Sequence, residues 1–227
     1  MNHFTFSAVT AFISSFFVAI FFLMQRDNIR KLYGFYWAVI SFWSFTVGFQ
    51  AHLLKFVPDG VWGWFLHLGC LFIPVIFLQF SVKFSGINRD LGKKMIVVSY
   101  LVTVLYLALN SFTPYFTKGT SYRDNYAYPT PSNFYIAYFV TFVFMILCGT
   151  WCLVHRYRKE QSFRNRKWVV LFILVHLFAY LGAMDNFFIM ADIRIFPWYP
   201  FGLYPVFLYA IVGSFAFNKL TVIQPNK

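Results

Sequence analysis

Long apolar stretches, separated by short polar connections, form the dominant pattern along this chain. A helix needs about 20 mostly apolar residues to cross the hydrocarbon core of a bilayer. The stretches that approach this length are Phe4–Met24, Leu32–Leu54, Val61–Val82, Met95–Asn110, Asn133–Val154, Trp168–Ile189 and Phe201–Phe217. The pattern therefore predicts an all-α integral membrane protein in which residues 1–227 form a single seven-transmembrane helix bundle.

The composition agrees with a chain whose surface faces lipid. Hydrophobic residues make up 60% of the sequence and charged residues only 11%, whereas soluble proteins carry about 25% charged residues. The mean hydropathy is +0.63. The three cysteines, Cys70, Cys148 and Cys152, lie inside apolar stretches without the spacing of a zinc or redox motif. We interpret them as small packing residues of the membrane interior.

The basic residues are distributed unevenly between the connections, and this distribution predicts the orientation. The connections after the first, third and fifth spans and the C-terminus hold Arg26, Arg30, Lys31, Lys83, Arg89, Lys93, Lys94, Arg156, Arg158, Lys159, Arg164, Arg166, Lys167, Lys219 and Lys227. The opposite connections hold only Lys55, Lys118, Arg123 and Arg194. The positive-inside rule then places the N-terminus outside and the C-terminus in the cytoplasm. The net charge of +12 is thus explained by topology and by attraction to the lipid bilayer, and we expect no nucleic acid partner.

Polar residues gather at the outer ends of the predicted spans. Asp185 lies about 26 Å along the sixth span at a rise of about 1.5 Å per residue. The inner halves, such as FFVAIFFLM and FVFMIL, contain almost no polar residue. This asymmetry favours a cavity that opens only to the outside and binds a small ligand. The predicted ligand-binding residues are Asp185, Asn186, His67, Gln50, Tyr138 and Tyr204.

The role of Asp185 has two interpretations. A carboxylate at the bilayer centre costs roughly 2.5–3.5 kcal/mol, so it usually faces a pocket or a partner. Near the interface the cost falls, and Asp185 with Asn186 would then only begin the outer turn, with Arg194 as a partner. His176 lies nine residues earlier and therefore on the opposite helix face. We expect His176 to be buried and hydrogen-bonded, and not to pair with Asp185.

No catalytic or cofactor-binding constellation is recognisable in the sequence. The histidines His3, His52, His67, His155 and His176 are scattered, so we expect no metal site. The seventh span contains no lysine that could hold retinal. Phosphate-binding loops and kinase motifs are also absent from the sequence. The chain is therefore predicted to be no enzyme and to need no cofactor.

Three other features each allow two interpretations. The outer connection Ser111–Ser132 is either a lid over the cavity or an idle loop. Pro74 and Pro205 are either hinges or kinks that the membrane tolerates. The basic connection HRYRKEQSFRNRK serves as a cytoplasmic contact for a partner or anionic headgroups, or only anchors the topology. Its basic residues are Arg156, Arg158, Lys159, Arg164, Arg166 and Lys167.

Two spans and one longer segment carry a resemblance to a known family. The second span, YWAVISFWSFTVGFQ, holds Trp43 in an apolar run, and the third, LFIPVIFLQFSVKFSG, holds Pro74 before a Phe-rich exit. The longer segment is MDNFFIMADIRIFPWYPFGLYPVFLYAIVGSFAFNKLTVI. It contains an acidic residue late in the sixth helix, a Pro and Gly at the entry to the seventh, and a basic residue with Leu at its exit. These are Asp185, Pro200, Gly202, Lys219 and Leu220.

With these segments the chain resembles the N-terminal seven-transmembrane sensor region of bacterial histidine kinases. The resemblance implies a sensory receptor in the bacterial inner membrane, whose ligand shifts the bundle between two conformations. In that family the seventh helix leads to a cytoplasmic signalling module, so the implied partner is such a module, fused or separate. A homodimer is a further candidate assembly. This chain departs from the pattern because Pro225 would interrupt a continuous signalling helix. We expect either a truncated sensor or a stand-alone receptor.

A small-solute transporter or channel is the alternative class, with Asp185 as a coupling site. Polar continuity from Asp185 through His176 to Gln79 would favour a transporter. A sealed inner half of the bundle would argue against it.

Overall fold

The computed structural model describes residues 3–49, 59–123, 126–184, 187–188 and 203–220. Most of these residues are helical. The six long helices are α1 (His3–Leu23), α2 (Asn28–Gly48), α3 (Asp59–Ser85), α4 (Arg89–Phe112), α5 (Asn133–Lys159) and α6 (Phe163–Ala183). An antiparallel hairpin of β1 (Thr117–Arg123) and β2 (Tyr126–Pro131) connects α4 to α5. The last helical segment consists of α7 (Leu203–Leu208), a π-helix π1 (Tyr209–Gly213) and α8 (Ser214–Lys219).

Five helices in the described part of the chain are long and apolar enough to cross a membrane: α1, α3, α4, α5 and α6. This confirms an all-α membrane protein. The second and seventh predicted spans are also helical where the structure describes them. However, α2 begins with the polar sequence NIRK and is rich in Trp, Tyr and Ser, and the described part of the seventh is short. Seven crossings and their orientation therefore stay predictions.

The structure changes some of the predicted boundaries. The fourth span was predicted from Met95 to Asn110, but α4 begins at Arg89 and is 24 residues long. Helix formation continues through the charged residues because they lie on an exposed surface. Helix α2 ends at Gly48 and α6 at Ala183, and most of the remaining residues of these two predicted spans lie outside the described residues.

Short connections with helix-capping side chains join the long helices at one end of the bundle. The side chains of Asp27 and Asn88 accept hydrogen bonds from backbone N–H groups in the first turns of α2 and α4. Ser162 Oγ accepts a bond from Asn165 N–H at 3.5 Å in the first turn of α6. Such caps satisfy N–H groups that have no partner within the helix. The three turns are therefore encoded locally.

Contacts between distant elements bring these three basic connections together with the end of α8. Arg30 Nη1 donates a hydrogen bond of 2.9 Å to Asn218 Oδ1. The guanidinium carbon of Arg156 lies 5.6 Å from the centre of the Phe84 ring, and the Phe84 and Phe217 ring centroids are 5.5 Å apart. We call this end of the bundle the basic end and the opposite end, which carries β1 and β2, the hairpin end.

Candidate functional site

A group of rings lies beneath the hairpin and consists of His67, Tyr106, Phe116, Tyr135 and Tyr138, which we call the hairpin cluster. Phe116, just before β1, occupies its centre and is completely buried. Its ring centroid lies 5.1 Å from that of His67, 5.4 Å from that of Tyr135 and 5.3 Å from that of Tyr138. The cluster thus joins side chains of α3, α4 and α5 to the base of the hairpin.

Two buried polar atoms of the hairpin cluster have no hydrogen-bond partner among the described residues: His67 Nε2 and Tyr138 Oη. His67 Nδ1 lies 2.7 Å from the carbonyl oxygen of Gly63, so Nδ1 carries the proton of the neutral ring and Nε2 presents a lone pair. Buried polar atoms of this kind normally have partners, and leaving one unpaired costs about 1–3 kcal/mol. The cluster therefore offers one acceptor and one hydroxyl to a small polar group.

Backbone hydrogen bonds close the base of the hairpin at the start of α5. Ser132 N–H donates to the carbonyl of Phe116 at 3.0 Å, and Phe134 N–H donates to that of Tyr115 at 3.2 Å. The strand pairing is irregular between Thr117 and Thr120. Gly119 lies in this interval with a φ of +110°, a backbone conformation that residues other than glycine rarely adopt. The described part of this connection is therefore a hydrogen-bonded hairpin above the cluster, and both the lid and the idle-loop interpretation stay open.

A second polar cluster lies deeper in the bundle, around His176. Nδ1 of His176 lies 3.3 Å from Tyr209 Oη in π1, and the imidazole stacks on the Phe77 ring at 3.9 Å between centroids. Beside it, the hydroxyl oxygens of Tyr36 and Tyr180 are 2.8 Å apart. His176 is fully buried, so the expectation of a buried, hydrogen-bonded histidine is confirmed. We call these five residues the central cluster.

Ring contacts connect the two clusters without interruption. Tyr138 contacts Phe142 at 6.2 Å between ring centroids, and Phe142 contacts Tyr180 at 6.0 Å. Tyr180 in turn lies 4.5 Å from the centroid of His176. Pro74 is buried in α3 between His67 and Phe77, the residues that α3 contributes to the two clusters. Packed side chains thus form a continuous path from the hairpin cluster to the central cluster, which includes Tyr209 of π1.

Below the central cluster, towards the basic end, closely packed phenylalanine rings fill the interior. Phe217 lies 5.3 Å from Phe80, 5.5 Å from Phe84 and 5.8 Å from Phe172 between ring centroids. All four rings are buried. Gln79 Oε1 accepts a hydrogen bond of 2.7 Å from Tyr100 Oη of α4. Within the described ranges, no hydrogen bond connects His176 to Gln79.

The structure brings together only some of the predicted ligand-binding residues. His67 and Tyr138 belong to the same cluster, and Tyr204 is half-buried at the start of α7. Gln50, Asp185 and Asn186 lie outside the described residues. The predicted residues did not include the other members of the two clusters, which are Tyr106, Phe116, Tyr135, Tyr36, Phe77, Tyr180 and Tyr209. Tyr135 and Tyr138 are three residues apart, and His176 and Tyr180 are four apart, so each pair lies on one helix face. This spacing could have identified Tyr135 and Tyr180 from the sequence.

The predicted hinge and contact residues are distributed as follows. Helix α3 continues through Pro74, and Pro205 lies in the first described turn of α7. Arg156 is only 6% exposed, and its Nη2 lies 2.9 Å from Glu160 Oε2, so this residue of the predicted cytoplasmic contact faces the bundle. The remaining members of that set are partly or fully exposed: Arg158, Lys159, Arg164, Arg166 and Lys167.

Comparison of the chain with protein-family models, curated proteins and solved structures finds no match. The class that the fold defines is a helical membrane protein, and the resemblance to histidine kinase sensor regions stays a prediction. The comparisons therefore give no indication of what this protein does.

Proposed function

We propose that this protein is a membrane sensory module that binds a small ligand in the hairpin cluster and transmits the signal through its last helical segment. The observation that carries the proposal is the pair of buried polar atoms, His67 Nε2 and Tyr138 Oη, which belong to two side chains packed against the Phe116 ring. Binding sites for small molecules typically combine an apolar wall with a few polar groups that fix orientation. The hairpin cluster has this composition.

The chemistry of the two atoms defines the class of ligand. His67 Nε2 accepts a hydrogen bond, and the Tyr138 hydroxyl can donate or accept one. The surrounding side chains Tyr106, Phe116 and Tyr135 are aromatic. A small aromatic or apolar molecule with one hydroxyl, amine or amide group would satisfy both atoms and replace the Phe116 contacts.

The relay is proposed to act through π1. Each backbone hydrogen bond of a π-helix spans one residue more than in an α-helix, and such segments occur frequently at functional sites. Loss of the π-turn would shift the following helix by one residue, which corresponds to a rotation of about 100°. Because Tyr209 binds His176 from this segment, the position of the central cluster can influence which of the two helix forms is stable. A ligand acts only if it binds one form more tightly than the other.

We further propose that the basic end faces the cytoplasm of a bacterial cell, in accordance with the positive-inside rule. The output partner would then be a cytoplasmic signalling module, fused or separate, in contact with the end of α8. A homodimer is compatible with this arrangement. The resemblance to histidine kinase sensor regions supports the proposal but does not carry it.

A transporter or channel is the less favoured candidate. Transport through the bundle requires a polar path to the basic end, but Phe80, Phe172 and Phe217 occupy the interior there. We therefore expect the purified chain in liposomes to support no flux of the ligand. A flux that depends on His67 would favour transport over sensing.

The proposal is tested by thermal unfolding of the purified chain in detergent, with a panel of small aromatic alcohols, amines and amides. A ligand that binds the folded state raises the unfolding midpoint by mass action. We expect at least one compound to stabilise the wild type and the Tyr115→Phe control, whose hydroxyl belongs to a side chain that is 55% exposed. Tyr138→Phe and His67→Ala should lose this effect. Equal stabilisation of all four proteins would contradict a site in the hairpin cluster.

A further inference from the structure

A groove of about 380 Å³ opens between the ends of α5 and α6 at the basic end. Its lining changes in character along its length. The mouth carries Arg166 and Lys167 with the rings of Tyr157 and Phe163, and the floor continues with the apolar Val170 and Leu174. A cationic mouth above an apolar floor matches a molecule with an anionic head and a hydrocarbon tail.

The two cations at the mouth are held in place by aromatic rings. The guanidinium carbon of Arg166 lies 4.7 Å from the centre of the Tyr157 ring. Lys167 Nζ lies 4.5 Å from the centre of the Phe163 ring. Cation–π contacts of this length orient a charged group and leave its N–H donors available to an anion. Arg166 Nε is buried and has no hydrogen-bond partner among the described residues.

The nearest acidic side chain does not neutralise this pair. Glu160 is the one acidic residue of the α5–α6 connection, and its Oε2 lies 2.9 Å from Arg156 Nη2. Its Oε1 accepts a hydrogen bond from Ser162 N–H at 3.3 Å. In the described part of the chain no carboxylate pairs with Arg166 or Lys167, so their charge is available to a phosphate.

Together, the floor of the groove and the exposed apolar face of α6 that follows it have about the length of one membrane leaflet. Beyond Val170 and Leu174, the same face of α6 exposes Phe178 and Leu181. From Val170 to Leu181 the helix rises about 16 Å, while half of the hydrocarbon core measures about 15 Å. An acyl chain that starts at the mouth would thus lie along α6 down to the bilayer midplane.

We infer that this groove is a binding site for an anionic phospholipid. Arg166 and Lys167 hold the phosphodiester, and Val170, Leu174, Phe178 and Leu181 contact one acyl chain. Basic pockets at the cytoplasmic ends of membrane helices recognise anionic headgroups through the same combination of charge and depth. The site does not depend on the proposed sensory function.

The test is lipid binding by the 227-residue chain, purified in a neutral detergent and titrated with phosphatidylglycerol, phosphatidylcholine or glycerol 3-phosphate. Binding is followed by the unfolding midpoint and by native mass spectrometry. The variants are Arg166→Gln/Lys167→Gln, Lys167→Gln alone, and the control Lys93→Gln/Lys94→Gln. The control removes the same charge from exposed residues of α4 at the same end of the bundle.

We expect phosphatidylglycerol to bind the wild type and the control with similar affinity, and phosphatidylcholine and glycerol 3-phosphate to bind much more weakly. The groove double variant should bind phosphatidylglycerol about tenfold or more weakly, since each basic residue contributes to headgroup attraction. The Lys167→Gln variant should lose part of the affinity for phosphatidylglycerol. Because the Lys167 side chain is exposed, this substitution should leave the fold intact. An equal loss in groove and control variants, wild-type binding by the groove variant, or equally tight binding of glycerol 3-phosphate would each overturn the assignment.

Discussion

The Tyr209 hydroxyl oxygen lies 3.3 Å from Nδ1 of His176, and this contact joins the π-helix of the last segment to the middle of α6. Both side chains are almost completely buried. Gly213 lies beneath the Tyr209 ring, where a Cβ atom would approach Tyr209 Cδ2 to 2.4 Å. The π-turn, the glycine and the histidine thus form one structural unit, and the proposed relay depends on it.

Substitution of Tyr209 by Phe should lower the free energy of unfolding by about 1 kcal/mol, because the buried His176 Nδ1 loses its hydrogen-bond partner. The measurement is equilibrium unfolding in mixed detergent micelles, followed by helical circular dichroism. Tyr115→Phe, which alters an exposed side chain, serves as the control and should have no effect. If both variants are as stable as the wild type, the contact with His176 contributes nothing.

A double-mutant cycle at Tyr36 and Tyr180 should reveal coupling between their hydroxyl groups. The two oxygens are 2.8 Å apart and buried. Each single Phe variant removes one partner of this buried hydrogen bond, whereas the double variant removes both. We expect the double variant to be less destabilised than the sum of the single variants by about 0.5–1.5 kcal/mol. Strict additivity would mean that the two hydroxyls do not interact in the folded state.

Gly149→Ala should destabilise the bundle by about 1–3 kcal/mol, the usual cost of overpacking. A Cβ atom at this position would approach Phe77 Cε1 to 2.4 Å. Phe77 has no room to yield, because it is fully buried and stacked on His176. Gly63→Ala is the matched control, since within the described part of the chain its Cβ atom would meet only Pro129 Cγ, at 3.8 Å. The measurement is the free energy of unfolding of both variants. If Gly149→Ala is as stable as Gly63→Ala, α3 and α5 are not in close contact at this position.

Phe116→Ala should weaken the attachment of the hairpin, because Phe116 is the ring around which the hairpin cluster packs. Loss of a buried Phe side chain typically costs about 3–5 kcal/mol. We therefore expect faster amide hydrogen exchange in β1 and β2, measured by mass spectrometry, together with a lower unfolding midpoint. Phe112→Ala is the control because Phe112 is 85% exposed. If exchange in the hairpin is unchanged by both substitutions, the hairpin is held independently of Phe116.

The helical membrane class could be predicted from the sequence because a bilayer imposes a length and an apolar composition on every crossing segment. The basic connections were recognisable for a similar reason, and the structure places them together at one end. The starting point of α4 could not be predicted from apolar length alone. Its first turns contain Arg89, Lys93 and Lys94, and the capping side chain of Asn88 begins the helix before the hydrophobic stretch starts.

The candidate site was predictable only in part. His67 and Tyr138 were predicted from polarity and depth, and the structure places both against Phe116. Phe116 itself has no distinguishing feature in a chain with 33 phenylalanines. The pairing of Tyr36 with Tyr180, 144 residues apart, has no local signature either.

The positions of helices, their capping residues and the positively charged connections follow from neighbouring residues and from the bilayer as solvent. In contrast, the contacts between aromatic rings and the unpaired polar atoms follow from how the helices pack against each other. In a membrane, apolar side chains gain little by choosing each other over lipid, so helix contacts depend on shape and on a few hydrogen bonds. The packing of Gly149 against Phe77 and the hydrogen bond between His176 and Tyr209 are examples, and both form only when the helices are assembled.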